Sequence, residues 1–458
     1  MTENNGNMTA SQQAVLLSIC TAQFLMPFMM SSIGVALPAI GRDFSASAAH
    51  LSMIEMMFVL GNSLFLLPSG RIGDIYGRKK MFILGFVIFA LSTLAATGVW
   101  SINTFIIIRF LQGAGSAFVL SSGLAILTSV FPSSKRGQVM GISVACVYCG
   151  LSLGPTVGGL IVSHIGWRWI FAVTVPFQIL AIILALKILK GEWADAGGEK
   201  FDWTGTTIYI FSLFLFIYGA SRLETDPLAK YYMTAGGAGI VIFLFVEYHI
   251  EYPVLDVNLL ISNRVFAFSN AATLINYSAS FGVTFFFSLY LQVVKGISPQ
   301  QAGLILICQP VVQAILSPIA GRLADKKSPA LIATIGMIIT AVGLGVAASV
   351  DKDTGMPTII IMLILLGNGF AFFASPNMTT VMSSVRPRHY GIASSLISTM
   401  RTVGMLICMT IITFILSWKM GDNAVSVQTQ DLFLYCMHFS FLLFSGLSVI
   451  GILFSTAR

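Results

Sequence analysis

GRIGDIYGRKK (residues 70–80) lies between two long apolar runs, and its reading decides the fold. Three glycines, one aspartate and four basic side chains share eleven positions. The glycines permit a sharp turn and close helix approach, Asp74 accepts from cationic side chains or a helix N-terminus, and the basic cluster suits anionic lipid headgroups. Part of the stretch returns as GRLAD at 321–325, with the same Gly, Arg and Asp. Each copy follows the second apolar helix of its half, so the chain carries an internal repeat.

The surroundings are as apolar as that pattern requires. Of 458 residues 56% are hydrophobic and 9% charged, against about 25% charged in a soluble domain. This is the composition of an all-α polytopic membrane protein. Runs long enough to cross a ~30 Å hydrocarbon core predict helices near 14–38, 49–70, 81–99, 103–130, 138–163, 169–189, 204–221, 231–249, 265–292, 300–321, 329–349, 357–383, 390–417 and 432–455. The 42 glycines fit close helix packing in lipid. MTENNGNMTASQQ has no basic n-region, and the apolar run after it is long enough to span, so no cleaved leader is expected.

Several function classes are excluded. The net charge of +7 is spread through short loops rather than gathered on one face, which is not a nucleic-acid footprint. The six cysteines fall in apolar runs without metal-ligand spacing and read as small packing residues. No nucleophile constellation, Walker loop or nucleotide-binding glycine pattern is present, so neither an enzyme nor a cofactor is expected. Without an ATP site, an electrochemical gradient is the natural energy source to expect.

Loop charges orient the chain. With the N-terminus inside, sixteen Lys and Arg fall in cytoplasmic segments and seven outside; Arg109 and Arg401 lie within helices and complete the 25. The positive-inside rule then places both termini in the cytoplasm of a cell (plasma) membrane. The organisation expected is a cytoplasmic tail (1–13), a six-helix half (14–190), a linker with two extra helices (191–259) and a second six-helix half (260–458). Related halves imply a transporter whose substrate site lies between them near the midplane.

At this point a family resemblance enters. GRIGDIYGRKK resembles the loop between helices 2 and 3 of the major facilitator superfamily at Gly70, Asp74, Gly77, Arg78 and Lys79, with Ile75 where a basic residue is common. In that family the loop latches the two halves on the cytoplasmic side, and the repeat adds Asp325 to the implied gate. RFLQGAGSA (109–117) resembles the helix-4 motif. GLSLGPTVGG (150–159) resembles the helix-5 motif of the antiporter branch, with Gly150, Gly154, Pro155, Gly158 and Gly159 forming a smooth, kinkable face. GWRWIF (166–171), YLQVVKGISPQQAGL (290–304) and the inserted pair resemble the fourteen-helix drug:proton antiporters. One departure stands out: Met29 occupies the position of that family's helix-1 aspartate, and Ser31 that of its threonine.

The first helix therefore supplies no embedded acid, and Glu55, in LSMIEMMFVLG (51–61), is the one carboxylate well inside the first half. Fifteen residues from Gly70, about 22 Å of helix, it falls in the outer part of the membrane. Arg109, roughly two turns below Trp100, reaches similar depth. An arginine inside a span needs a partner in the bundle. Burial raises a glutamate's pKa and a nearby guanidinium lowers it, so moving the two apart, or admitting a cation, would shift the proton. Glu55 and Arg109 are accordingly the candidate proton-coupling pair; the competing reading is a static pair that fixes packing.

Candidate substrate-lining residues are Met26, Met29, Met30, Met56, Phe281, Phe285, Gln309, Gln313, Asn377 and Arg401. Methionines suit adaptable surfaces and aromatic faces attract organic cations. The expected protein is a monomeric, proton-coupled exporter of hydrophobic, often cationic compounds, conferring multidrug resistance. The alternatives are an exporter of a specific metabolite or lipid-like acid, which Arg109 and Arg401 would serve, and a non-transporting membrane sensor.

Overall fold

In hydrocarbon each backbone N–H and C=O must be satisfied within its own segment, so apolar runs of this length become helices. The computed structural model describes residues 10–131, 133–189, 191–194, 196–223, 226–385 and 390–458, and among them no strand occurs. The helices are α1 (Ala10–Phe44), α2 (Ala48–Tyr76), α3 (Arg78–Thr97), α4 (Ile102–Val130), α5 (Ser133–His164), α6 (Arg168–Ile188), α7 (Trp203–Ser221), α8 (Ala229–His249) and α9 (Val257–Ser262). There follow α10 (Arg264–Ser280), α11 (Val283–Leu289), α12 (Pro299–Leu306), α13 (Cys308–Lys326), α14 (Pro329–Ala347), α15 (Met356–Ser383), α16 (Tyr390–Met420) and α17 (Gln430–Thr456).

Fourteen candidate spans result, because α10 and α11 form one run through a π-helical turn at Tyr290–Val294, and α12 joins α13. The chain is thus a multi-pass membrane protein, with the number of spans the apolar runs predict. Helix ends extend beyond the sequence reading, and one short helix is added. Helix α1 continues past Pro38 to Phe44, which brings Asp43 to accept from the Trp167 indole (3.1 Å). Helix α9 was invisible to span counting; Asp256 caps it by accepting from Leu259 N (3.1 Å).

Before α7 and α8, α1 packs on α5 and α6, α2 on α4, and α3 on α4 and α6. After them, α10 packs on α15, α16 and α17, α13 on α15, and α14 on α15 and α17. The two groups meet along α2–α16, α1–α11 and α5–α12. The polar contacts between them gather at the end of the bundle where α2 begins. Ala48 N donates to Asn423 O (3.2 Å), Ser52 and Thr413 hydroxyls pair (2.9 Å), Gln292 Nε2 donates to Val35 O (2.9 Å), and the Ser288 hydroxyl donates to Gly34 O. Helices α7 and α8 pack on each other, and α7 also touches α2 and α16, with Tyr209 Oη donating to Ser63 O (2.8 Å).

Candidate functional site

Helix α2 presents its polar residues on two faces. Toward α4 the backbones nearly touch, because Gly61 faces Phe110 O and Gly113 faces Phe58 O, and a Cβ at either would collide. Asn62 Nδ2 donates to Ser116 Oγ (2.6 Å) across the same seam. Arg109 is fully enclosed here. Its Nε donates to Ile54 O (3.4 Å), its guanidinium donates to Gln112 Oε1, and its Cζ stands 4.3 Å above the Phe58 ring. Gln112 Nε2 donates in turn to Thr93 Oγ1 (2.8 Å) on α3.

Glu55 is 7% exposed and turns away from that seam. A Cβ on Gly34 would meet its Oε1 at 3.5 Å and Thr284 Cγ2 at 3.1 Å, so the carboxylate sits where α1, α2 and α11 converge. Cys408 on α16 also lies within its electrostatic reach. Glu55 and Arg109 each stand seven residues into their helices, at matching depth, and interact through space. Among the described residues no ion pair joins them and Glu55 accepts no hydrogen bond; the ion pairs are Arg71–Glu199, Arg78–Asp74 and Arg168–Asp43. The arginine is held by neutral acceptors and an aromatic face, while the carboxylate borders the junction between the two helix groups.

Beside Glu55, Met56 is buried, and its sulfur accepts from Thr410 (3.8 Å) and Thr413 (3.7 Å) of α16. The other expected lining residues disperse. Met26 and Met29 are buried, and Met29 accepts the Thr174 hydroxyl (3.2 Å) on the α6 side; Met30 is half-buried. Phe285 is enclosed with its ring 5.4 Å from that of Phe286, and Phe281 is half-buried at the α10–α11 break. Gln313 is buried on α13, and Gln309 presents its carbonyl to Gly367 of α15. Asn377 bridges α15 to α10 through Ser269 O (3.2 Å) and Thr273 Oγ1 (2.8 Å), and accepts from Arg458. Arg401 is half-buried beside the Tyr277 hydroxyl of α10, with Tyr148 of α5 nearby. Ser52, Thr284, Tyr148, Tyr277, Thr410 and Thr413 escaped the sequence reading. Only the polarity of single positions in apolar helices flagged them.

The glycine stretch of α5 has two faces. Gly150, Gly154 and Gly158 lie against Phe24, Phe28, Ser31 and Ser32 of α1, and the Ser32 hydroxyl donates to Gly154 O (3.0 Å). Gly159 faces Pro299 O, and Gly303 of α12 closes on Pro155 O, so those two positions serve the contact between helix groups.

The 70–80 loop is held by its own neighbourhood. Gly77 adopts φ +118°, which turns α2 into α3. Asp74 Oδ1 accepts from Arg78 Nε (2.8 Å), and Arg78 also reaches Ser129 Oγ (2.7 Å). Lys79 N donates to Glu192 (2.7 Å), Arg78 N to Trp193 O (2.9 Å) and Ala196 N to Asp74 O (3.0 Å), and Arg71 pairs with Glu199. The segment after α6 therefore clamps Arg71, Asp74, Gly77, Arg78 and Lys79, whereas Gly70 faces Ser121 of α4. The side chain of Asp325 lies outside the described residues.

The family model described as the Major Facilitator Superfamily matches residues 19–407 and 269–457. The riboflavin transporter RibZ of Clostridioides difficile (strain 630) is 28% identical over 85% of this chain and 85% of that protein. The multidrug resistance protein Stp of Mycobacterium tuberculosis (strain CDC 1551 / Oshkosh) is 26% identical over 90% of this chain and 77% of its own length. Among solved structures, a bacterial homolog of the human lysosomal transporter Spinster, inward-facing and unoccupied, superposes with a TM-score of 0.69 at 17% identity over 98% of both chains. A D-xylose–proton symporter superposes with a TM-score of 0.68 at 13% identity over 97% of both.

Proposed function

The chain belongs to the Major Facilitator Superfamily, whose members are transporters and not enzymes, and from that premise we propose that it exports hydrophobic, often cationic small molecules by proton antiport through alternating access. Both termini face the cytoplasm of the plasma membrane, the protein works as a monomer, and the proton gradient drives it. A proton crossing 100 mV supplies about 2.3 kcal/mol, enough to bias an exchange step.

The observation that supports coupling is the position of Glu55. Its carboxylate faces Gly34, which Thr284 also lines, with Cys408 within electrostatic reach, at the junction of the helix groups, where rocking of one group against the other changes its surroundings. Arg109 stays anchored to Ile54 O and Gln112, so it biases the carboxylate without neutralising it by contact. A proton or an organic cation then competes for Glu55. The seal at the α2-start end corresponds to a cytoplasm-open state in this orientation.

A second reading, export of a specific acid or metabolite, draws on Arg401 beside Tyr277 and Tyr148, and on the likeness to a riboflavin transporter. Both are tested in acid-loaded liposomes, with lipophilic cations and acids, riboflavin among them, added outside. Cation-driven proton release by the wild type and its loss in a folded Glu55→Gln variant support the antiport reading. Normal exchange by the variant removes Glu55 from coupling. Proton release elicited by acids alone replaces the multidrug reading with the metabolite one.

A further inference from the structure

The inserted pair carries a buried acidic feature that the transport reading leaves unused. Glu247, near the end of α8, is 1% exposed. Its Oε2 accepts from Leu255 N (2.8 Å), beyond the turn that follows α8, while its Oε1 has no hydrogen-bond partner. Asp202 caps α7 by accepting from Gly205 N (2.9 Å) on Oδ1, and its Oδ2 is equally buried and unpartnered. The two orphan oxygens point at one place: a Cβ added to Gly205 would collide with both Asp202 Oδ2 and Glu247 Oε1. Gly205 is what permits the approach.

Two ionised carboxylates pressed together in a dry site repel each other and leave acceptors facing acceptors. Among the described residues no compensating cation is at hand, and Asp202 is the charged neighbour acting on Glu247. On the adjoining segments Glu199 pairs with Arg71, and Lys200, His249 and Glu251 are exposed. Tyr252 is 37% exposed and interacts with Glu251, Glu199 and Arg71 rather than with the pair.

We propose that Asp202 and Glu247 share one proton, forming a carboxyl dyad that ties the segment entering α7 to the segment leaving α8. One hydrogen between the orphan oxygens satisfies both atoms and removes one of the two charges. The dyad closes the base of the inserted pair, since through their other oxygens Asp202 caps α7 and Glu247 holds the turn after α8. Because α7 rests on α2 and α16, this proton sets how the inserted pair sits against the moving helix groups. The site binds a proton separately from Glu55.

The test is infrared spectroscopy on the full-length protein at neutral pH, in H2O and D2O. It is run in a Glu55→Gln background so that no signal comes from that carboxyl. A carboxylic-acid C=O band that shifts in D2O and disappears in Glu247→Gln supports the dyad. The amide of that variant still donates to Asp202, so its melting temperature stays near that of the parent, whereas Glu247→Ala lowers it. Absence of the band, or its persistence in Glu247→Gln, overturns the proposal. So does a melting temperature raised by Na⁺, K⁺, Mg²⁺ or Ca²⁺ in the parent but not in Glu247→Gln, which would assign the orphan oxygens, with the unpaired Thr206 Oγ1, to a metal cation. Should Glu247→Gln not fold, Asp202→Asn is read by the same band.

Discussion

Replacing Ser52 by alanine should open the sealed end of the bundle by a calculable amount. Ser52 Oγ meets Thr413 Oγ1 at 2.9 Å across α2 and α16. Each hydroxyl also has an acceptor within reach in its own helix, Ala49 O for Ser52 (2.8 Å) and Met409 O for Thr413 (2.7 Å), while one of the two protons bridges the seam. Removing Ser52 Oγ therefore deletes one neutral hydrogen bond between the helix groups and orphans nothing. Such a bond contributes about 0.5–1.5 kcal/mol, so the closed-to-open ratio at this end should fall roughly 2- to 12-fold. Spin labels on the exposed positions 42 and 422, in a background lacking the reactive cysteines, report the separation of α1 from the α16–α17 turn. The long-distance population should grow in Ser52→Ala and return in Ser52→Thr. A distance distribution identical to the parent's would refute the view that these contacts set the balance between states.

Gly154→Ala should destabilise by about 1–3 kcal/mol through overpacking, because its Cβ would press on Ser31 Oγ and Phe28 O, whereas Gly98→Ala, with open space around it, should melt like the parent. Gln112→Leu should lower the melting temperature more than Thr93→Val: the first strips an acceptor from buried Arg109, about 1.5–3 kcal/mol for a bond to a charged group, along with the bond to Thr93, and the second removes only neutral bonds, to Gln112 and to Phe89 O. Glu199→Gln should cost less than ~1 kcal/mol, since its pair with Arg71 is part-exposed and screened, yet limited proteolysis of segment 191–203 should accelerate as the clamp on the 70–80 loop loosens.

The span count was legible in the sequence because lipid imposes one rule on every crossing segment, and charge-free runs reveal it directly. Single acids stood out for the same reason, which is how Glu55 was found. Facing was not legible. Met29 and Met56 look alike in an apolar run, yet one meets Thr174 of α6 and the other Thr410 and Thr413 of α16. Helical spacing fixes which residues share a face, but not which helix that face meets, and that is set by partners more than a hundred residues away. Asn377 shows the same limit, its amide being spent on Ser269, Thr273 and Arg458. The glycine stretch was legible as a smooth surface, but its division between α1 and α12 was not, because Gly158 and Gly159 differ only in direction.

That division of faces carries an argument about motion. On the α4 side of α2, separation would strip Ile54 O from a buried guanidinium and open a backbone contact made possible by Gly61 and Gly113. Both losses are heavy, so α2 and α4 should travel together. On the α16 side every hydroxyl in contact has a carbonyl of its own helix within bonding distance: Ala49 O for Ser52, Leu406 O for Thr410 and Met409 O for Thr413. The remaining contacts are thioether–hydroxyl approaches of 3.7–3.8 Å, which are weak acceptor interactions. Apart from Ala48 N at its mouth, which gives up Asn423 O, this seam parts without leaving a polar group unsatisfied. Glu55 lies beside it and has no bonded partner on its own helix. When the seam opens, the hydroxyls settle on those carbonyls, and the carboxylate is the group whose environment changes most. A charge placed where motion alters hydration is the arrangement in which proton occupancy and conformation must be linked.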